Sequence, residues 1–474
     1  MYIEKYLNCL HTSSGWASDE EFSCAPGCLE GRWDQVPAQG GVVLANGNGR
    51  VVVDGGDECR HVLVIGATGT GKSRLIILPS LLYSLRARER RSFVVFDVKG
   101  ELERATADLA AREGYKRVRI DFRDPEKGVC WNPFAKLDAL YRLGEKGREL
   151  AWKRLEAIID TIFNDGERRT ADPFWRNTCA GLFRGICATI WEGGEKLSLS
   201  WILEHSNSLS VDREKDAGTL LYDKASSLPA DTVAWRNLAG FYRGSGITRG
   251  NVLASFNSYV APLASRSDIL EMMSREDSVD FSRTGREPTV LYISLPDDST
   301  ALGALQSMLL TQLTQELNEC AVREGGRLPV RTEIYLDELC NIHPAIPGLE
   351  TALTISRSRG IRYVLAIQSY SQLAGIYGVA AETIAANCST WIALNIAKDE
   401  IFRAKLSQLC GPNPLGEPLI TPAQLSLLKY EEGIVIRERV APYYARFEDL
   451  SRVQERLREA DAREPLGPEE RAAG

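Results

Sequence analysis

The segment from His61 to Leu82, HVLVIGATGTGKSRLIILPSLL, constrains this chain more than any other. Val62, Leu63, Val64 and Ile65 are a short apolar run of the kind a buried strand needs. The residues that follow, Gly66-Ala67-Thr68-Gly69-Thr70-Gly71-Lys72-Ser73, satisfy G-x-x-x-x-G-K-[ST] without a mismatch. An apolar helical pattern comes next. Strand, glycine loop and helix stand in the order a phosphate cradle requires. The glycines let successive backbone N–H groups turn toward an anion, and the helix start adds the positive end of its dipole. Lys72 can reach the β- and γ-phosphates of a nucleotide, and the Ser73 hydroxyl can hold Mg2+. Pro79 falls inside the helical pattern, where a missing N–H predicts a kink.

A chain of 474 residues has room for two or three domains. With 57 Lys and Arg against 64 Asp and Glu, the net charge is −7. The surface as a whole therefore does not advertise nucleic acid, and any DNA contact must be local, in a pore or on one basic face. The 11 cysteines are scattered and odd in number, which points to a reducing cytoplasm and buried thiols. Cys9, His11, Cys24 and Cys28 are the one cluster that could bind zinc, at a looser spacing than a zinc ribbon. No run approaches the roughly 18 apolar residues of a membrane-spanning helix. The N-terminus MYIEKYLNCLH lacks a secretory core, so the chain as given is expected to be soluble.

Ahead of the glycine loop, Val42-Val43-Leu44 and Val51-Val52-Val53 flank Asn46-Gly47-Asn48-Gly49, a hairpin signal. After it, the basic run Arg86 to Arg91 reads as a solvated helix end. Ser92–Asp97 and Val118–Phe122 read as further strands. Asp97-Val98-Lys99-Gly100-Glu101 should sit at the carboxyl edge of the sheet, where ligands gather in open α/β folds. Chemistry alone leaves Asp97 either a functional residue or the cap of a helix beginning near Glu101. Residues 141–285 change to helical spacing, as in Leu155, Ile158, Ile159, Ile162 and Phe163. Their aromatics Phe174, Trp175, Trp191, Trp201 and Trp235 fall on apolar helix faces and read as core.

The α/β pattern returns at Thr289–Leu295 and continues through Glu333-Ile334-Tyr335-Leu336-Asp337-Glu338. Downstream of a phosphate loop, Asp337 would support the Mg2+ shell and Glu338 would polarise an attacking water. Gln368-Ser369 ends the strand Tyr363–Ile367, beside those carboxylates, where an amide can sense the γ-phosphate. Arg357, Arg359 and Arg362 precede that strand and include candidates for a finger reaching a neighbouring subunit's nucleotide. Residues 388–394 and 432–437 read as the last strands. From about Ser451 the chain is charged and reads as a frayed helix and then a disordered tail. The expected units are 1–60 (lead-in and hairpin), 61–140 and 286–450 (two parts of one nucleotide-binding domain), 141–285 (all-α) and 451–474 (flexible tail).

This motif order resembles the soluble part of the type IV secretion coupling proteins, the TraG/TraD family of conjugative ATPases. The resemblance is carried by Ser14-Gly15-Trp16-Ala17, His61 through Ser73, Pro79, Phe96-Asp97-Val98-Lys99-Gly100-Glu101, Asn132-Pro133-Phe134 and Tyr335-Leu336-Asp337-Glu338. Ile367-Gln368-Ser369, Ser371-Gln372-Leu373, Tyr377-Gly378 and Asn387-Cys388 extend it. It implies an α/β, RecA-like P-loop NTPase domain with an inserted all-α domain, assembled as a homo-hexamer that uses ATP and Mg2+. It implies movement of single-stranded DNA with its relaxase toward a type IV secretion channel. By the same resemblance Gly66 to Ser73, Asp97 and Lys99 bind nucleotide, Ser73 and Asp337 serve the metal, and Lys72, Glu338, Gln368 and a trans-acting Arg357 serve catalysis. Family members usually begin with transmembrane helices. None is visible here, which leaves three expectations: a member without an anchor, an anchor that was removed, or one supplied by a separate membrane-anchor partner at the inner face of the cell membrane. Two other readings stay open: a nucleotide-switched receptor for protein cargo, and a cytoplasmic HerA/FtsK-like motor on duplex DNA.

Overall fold

The computed structural model describes residues 15–56, 59–163, 173–264, 266–295, 302–342, 344–396 and 398–463. Ahead of the glycine loop lies a small antiparallel sheet of β1 (Cys28–Arg32), β2 (Val42–Gly47) and β3 (Arg50–Asp54), in the order β1-β3-β2. The β2–β3 hairpin turns through Asn48 and Gly49 at φ 52° and 82°. Such a turn matches the twist of the flanking strands, which is why Asn-Gly favours it. β1 carries no apolar run and is found only by its pairing with β3.

The main sheet comprises β4 (Val62–Ile65), β5 (Ser92–Asp97), β6 (Lys116–Asp121), β7 (Thr289–Ser294), β8 (Thr332–Leu336), β9 (Ile361–Ile367), β10 (Thr390–Ala393), β11 (Glu432–Arg437) and β12 (Tyr443–Arg446). Their order is β12-β11-β10-β4-β9-β8-β5-β7-β6. From β10 to β6 all pairings are parallel, and β11 and β12 add antiparallel at one edge. Every residue of β4, β5, β7, β8 and β9 is buried, as expected of parallel strands covered on both faces.

Among the described residues, the chain between β6 and β7 contains helices and no strand. Helices Glu145–Ile162 and Pro173–Glu192 bury Leu155, Ile158, Ile159, Ile162, Phe183, Ile186, Cys187 and Ile190. The aromatics divide: Trp191 is core, Trp175 and Trp235 are half-buried against it, and Phe174 and Trp201 stand exposed. Amphipathic spacing alone does not separate the rim of an apolar stripe from its centre.

Three local features add to or correct the expectations. The phosphate-loop helix is not uniformly α-helical: its first turn, Lys72–Ile77, is π-wound and runs on without a break into the α-helical segment Leu78–Leu85, of which Pro79 is the second residue. The run 86–91 is a solvated end only in part: Arg88 is exposed, whereas Arg86 donates to Trp33 O at 2.8 Å and Arg91 to Glu333 Oε1 at 2.8 Å, both arginines buried. Finally, Leu450–Arg463 is an ordered helix whose Leu450, Val453, Leu457 and Ala460 make a buried stripe. Few apolar residues suffice when they share one face. The expected tail beyond it lies outside the described residues, as do Cys9 and His11. Cys28 points its sulfur at Arg437, and among the described residues no set of three or more acidic, His or Cys side chains is gathered for a metal.

The amino ends of the strands are tied to β3 by buried charges. Arg362 donates to Asp54 O at 2.7 Å and lies 3.3 Å from Glu333, while Arg437 and Thr390 hold the Asp54 carboxylate at 3.3 and 2.7 Å. Burial alone would raise the pKa of Glu333, but Arg362 and Arg91 hold it below the usual range. His61 closes the same end of β4: Nε2 donates to Leu353 O at 2.7 Å, and Nδ1 accepts from the Tyr363 N–H at 3.0 Å. Burial pushes this imidazole down to about 4. Between the ordinary histidine value and about 4, the unfolded chain binds a proton that the folded chain refuses. Stability should therefore fall as pH drops through that window, by about 3 kcal/mol from this group. Urea midpoints from neutral pH downward check this. The His61→Gln chain should have a flatter pH slope, whatever its absolute stability.

Candidate active site

The glycine loop joins the carboxyl end of β4 to the π-wound turn. Gly69 and Gly71 lie at φ 81° and 97°, a region that side-chain-bearing residues enter only at a cost of about 1–2 kcal/mol. The loop is pinned to its neighbours by Gly66 N–H to Ile367 O (3.1 Å) on β9 and Ala67 N–H to Asn395 O (3.2 Å) beyond β10. Thr70 closes it internally with Oγ1 to Ala67 O at 2.7 Å. Thr68 is exposed at its tip. The first N–H groups of the following helix have no preceding turn to bond, which leaves them for an anion.

Five side chains converge there from three adjacent strands. Lys72, buried, donates to Gly66 O at 2.8 Å and lies 3.6 Å from Glu338 Oε1. Gln368, just past β9, donates Nε2 to Glu338 Oε2 at 2.8 Å. Ser73 Oγ donates to Asp337 Oδ2 at 3.1 Å, just past β8. Burial, then the neighbouring Glu338 charge, pushes the Asp337 carboxyl up to about 6, against the pull of Ser73 and Lys72. Asp337 Oδ1 is buried without a hydrogen-bond partner. A buried orphan oxygen beside a serine hydroxyl fits the shell of a hard divalent cation, which takes oxygen ligands and keeps several waters. Glu338 sits at φ 69°, a strained backbone for a residue with a side chain and a recurrent mark of functional sites.

The structure separates the remaining candidates. Asp97 is fully buried, and its Oδ2 accepts the Glu103 N–H at 2.9 Å, capping helix Glu101–Arg112. Three strand spacings, about 14 Å, lie between β5 and β4, so within one chain Asp97 serves as a helix cap at a distance from the glycine loop. Lys99 is exposed in the loop after β5. Glu101 acts electrostatically on Asp337. Arg362 is committed to Glu333 and Asp54, and Arg359 donates to Asn318 O at 3.4 Å. Arg357 is exposed in the turn before β9. That turn is at the amino end of the strand, roughly 20 Å of strand from the glycine loop of its own chain.

Two groups had no local sequence signal. Asp399 accepts from Tyr370 N–H (3.0 Å), Ser371 Oγ (3.1 Å) and Phe402 N–H (3.1 Å), tying the helix after Gln368 to helix Glu400–Cys410. On the far side of the loop, Arg74, Tyr430 and Asp449 interlock. They meet only through tertiary packing.

Comparison with known proteins agrees with this geometry. The family described as Type IV secretory system Conjugative DNA transfer matches residues 24–415. VirD4 of Agrobacterium fabrum (strain C58 / ATCC 33970) is 25% identical over 412 residues, covering 80% of this chain and 57% of that protein. VirD4 of Rhizobium rhizogenes is also 25% identical over 412 residues, with 80% and 56% coverage. The chain thus spans little more than half the length of these relatives. Among solved structures, the unbound bacterial conjugative coupling protein TrwBdeltaN70 aligns with TM-score 0.61 at 19% identity, over 89% of this chain and 92% of its own. TrwB in complex with the ATP analogue ADPNP aligns with TM-score 0.59 at 20% identity, over 82% and 86%. These neighbours share the fold, an α/β RecA-like domain carrying an all-α insertion. No described helix is long and apolar enough to cross a membrane. A match over most of its length, on top of the glycine loop and the carboxylates facing it, places this chain in the type IV secretory system conjugative DNA transfer family.

Proposed function

We propose that this chain is an ATP-hydrolysing coupling protein that drives single-stranded DNA, with its relaxase, into a type IV secretion channel. The observation that carries the reading is the convergence of Lys72, Glu338 and Gln368, with Ser73 and Asp337, on one phosphate loop. Lys72 waits on Gly66 O and Glu338. A bound triphosphate draws its ammonium to the β- and γ-phosphates, which frees Glu338 to accept a proton from the attacking water. Gln368 holds the other Glu338 oxygen and reports the occupied state to the helix that Asp399 braces. Ser73 and Asp337 would hold Mg2+, which when bound neutralises phosphate oxygens. Arg357 is too distant for its own site and is left to serve the site of an adjacent copy in a ring, taken here as a hexamer. Lys99, exposed at the carboxyl edge, suits the pore of such a ring. The residue units 61–140 with 286–450, and 141–285, would be its motor and substrate-facing parts, docked at the membrane through a partner.

Steady-state hydrolysis across protein concentration, with and without DNA, tests this. Single-stranded DNA should stimulate the rate, and activity should rise more steeply than in proportion to protein. Because a motor grips phosphate, stimulation should weaken strongly with salt. Stimulation by duplex alone would replace this reading with a duplex motor. Nucleotide binding without DNA-sensitive hydrolysis would replace it with a nucleotide-switched receptor for protein cargo.

A further inference from the structure

We propose that Tyr430 and Arg74 form the wall on which the base and ribose of the bound nucleoside triphosphate stack. This rests on the reading of the glycine loop as a nucleotide site. Lys72, Glu338, Gln368, Ser73 and Asp337 all face β9 and β8. Those are the groups for the terminal phosphates. A triphosphate seated that way sends its nucleoside out on the opposite side, over β10 and the segment that enters β11. β11 runs antiparallel to β10, so its start lies at the same carboxyl edge as the loop.

Tyr430 stands in that path, just before β11. A Cβ built on Gly71 would lie 3.0 Å from Tyr430 Cε2, so the ring rests against the last glycine of the loop. The Tyr430 hydroxyl donates to Asp449 Oδ2 at 2.6 Å. Asp449 also receives Arg74 Nε at 2.9 Å and Nη2 at 2.5 Å, and it is held in turn by Ser451. Arg74 directly follows Ser73. An aromatic ring and a guanidinium plane are thus locked beside the phosphate loop, yet they remain 48% and 50% exposed. Large exposed planes held rigid without being covered suit a stacking ligand, because little conformational freedom is lost on binding. The Tyr430 hydroxyl and two Arg74 donor groups are committed to Asp449. The wall therefore presents faces to a base and does not read its edge, so adenine and guanine are accepted alike.

Calorimetric titration of the full chain, in Mg2+, with ATP, GTP and inorganic triphosphate tests the wall. The unaltered chain should bind ATP and GTP within about threefold of each other and tighter than triphosphate. Tyr430→Ala should weaken ATP and GTP alike by about tenfold and leave triphosphate unchanged. Tyr430→Phe, which keeps the ring, should stay within about threefold of the unaltered chain. Equal weakening of all three ligands by Tyr430→Ala would show a brace on the loop and overturn the wall. So would no weakening at all. An unaltered chain that binds triphosphate as tightly as ATP would overturn the wall and leave the phosphate cradle standing. An unaltered chain that binds none of them would overturn the nucleotide reading, and the wall with it.

Discussion

Lys72→Ala is expected to lower ATP hydrolysis by roughly 10²- to 10³-fold, the usual loss when a fixed group facing a transferring phosphoryl is removed. The expectation follows from geometry. Lys72 is 5% exposed and is held by Gly66 O and Glu338, within the loop itself. Its ammonium is the cation closest to Glu338 and also lowers the Asp337 pKa. Without it, both carboxylates face the phosphates with less compensation. ATP affinity should fall together with the rate. Parallel calorimetry and steady-state kinetics check this, and unchanged hydrolysis in Lys72→Ala would remove the site from this loop.

Glu338→Gln should separate binding from chemistry. Loss of a positioned general base typically costs 10²- to 10⁴-fold in rate. The amide keeps the size of the side chain and can still bond Gln368, and glutamine bears the same backbone strain as glutamate at φ 69°. Affinity for ATP should therefore remain within a few-fold while kcat falls by roughly 10³-fold. The measurement is kcat set against the calorimetric Kd. A matched loss in both would mean that Glu338 supports the loop and does not act on water.

Much of this site was legible because its parts are local. Val62–Ile65, the glycines and Lys72-Ser73 are contiguous, and Asp337-Glu338 and Gln368 each end an apolar strand run. The shared look of strand ends is what a sequence leaves open. Asp97 ends β5 as Glu338 follows β8, and nothing in either segment tells which of the two strands lies nearer β4. Arg86 and Arg91 show the same limit from the other direction. A run of arginines reads as solvated until tertiary packing supplies Trp33 O and Glu333 as buried partners.

The sequence by itself determined the phosphate cradle and the existence of most strands, because both depend on backbone preference and side-chain polarity within a few neighbouring residues. The tertiary structure alone decided strand order, since parallel neighbours are joined through long crossovers that leave no local trace. That order sets Glu338 and Gln368 beside Lys72, leaves Asp97 to cap a helix, and buries Arg362 among carboxylates. It also brings Arg74 and Asp449, 375 residues apart, into one ion pair beside Tyr430. Contacts at such separation depend on how the finished layers close over one another.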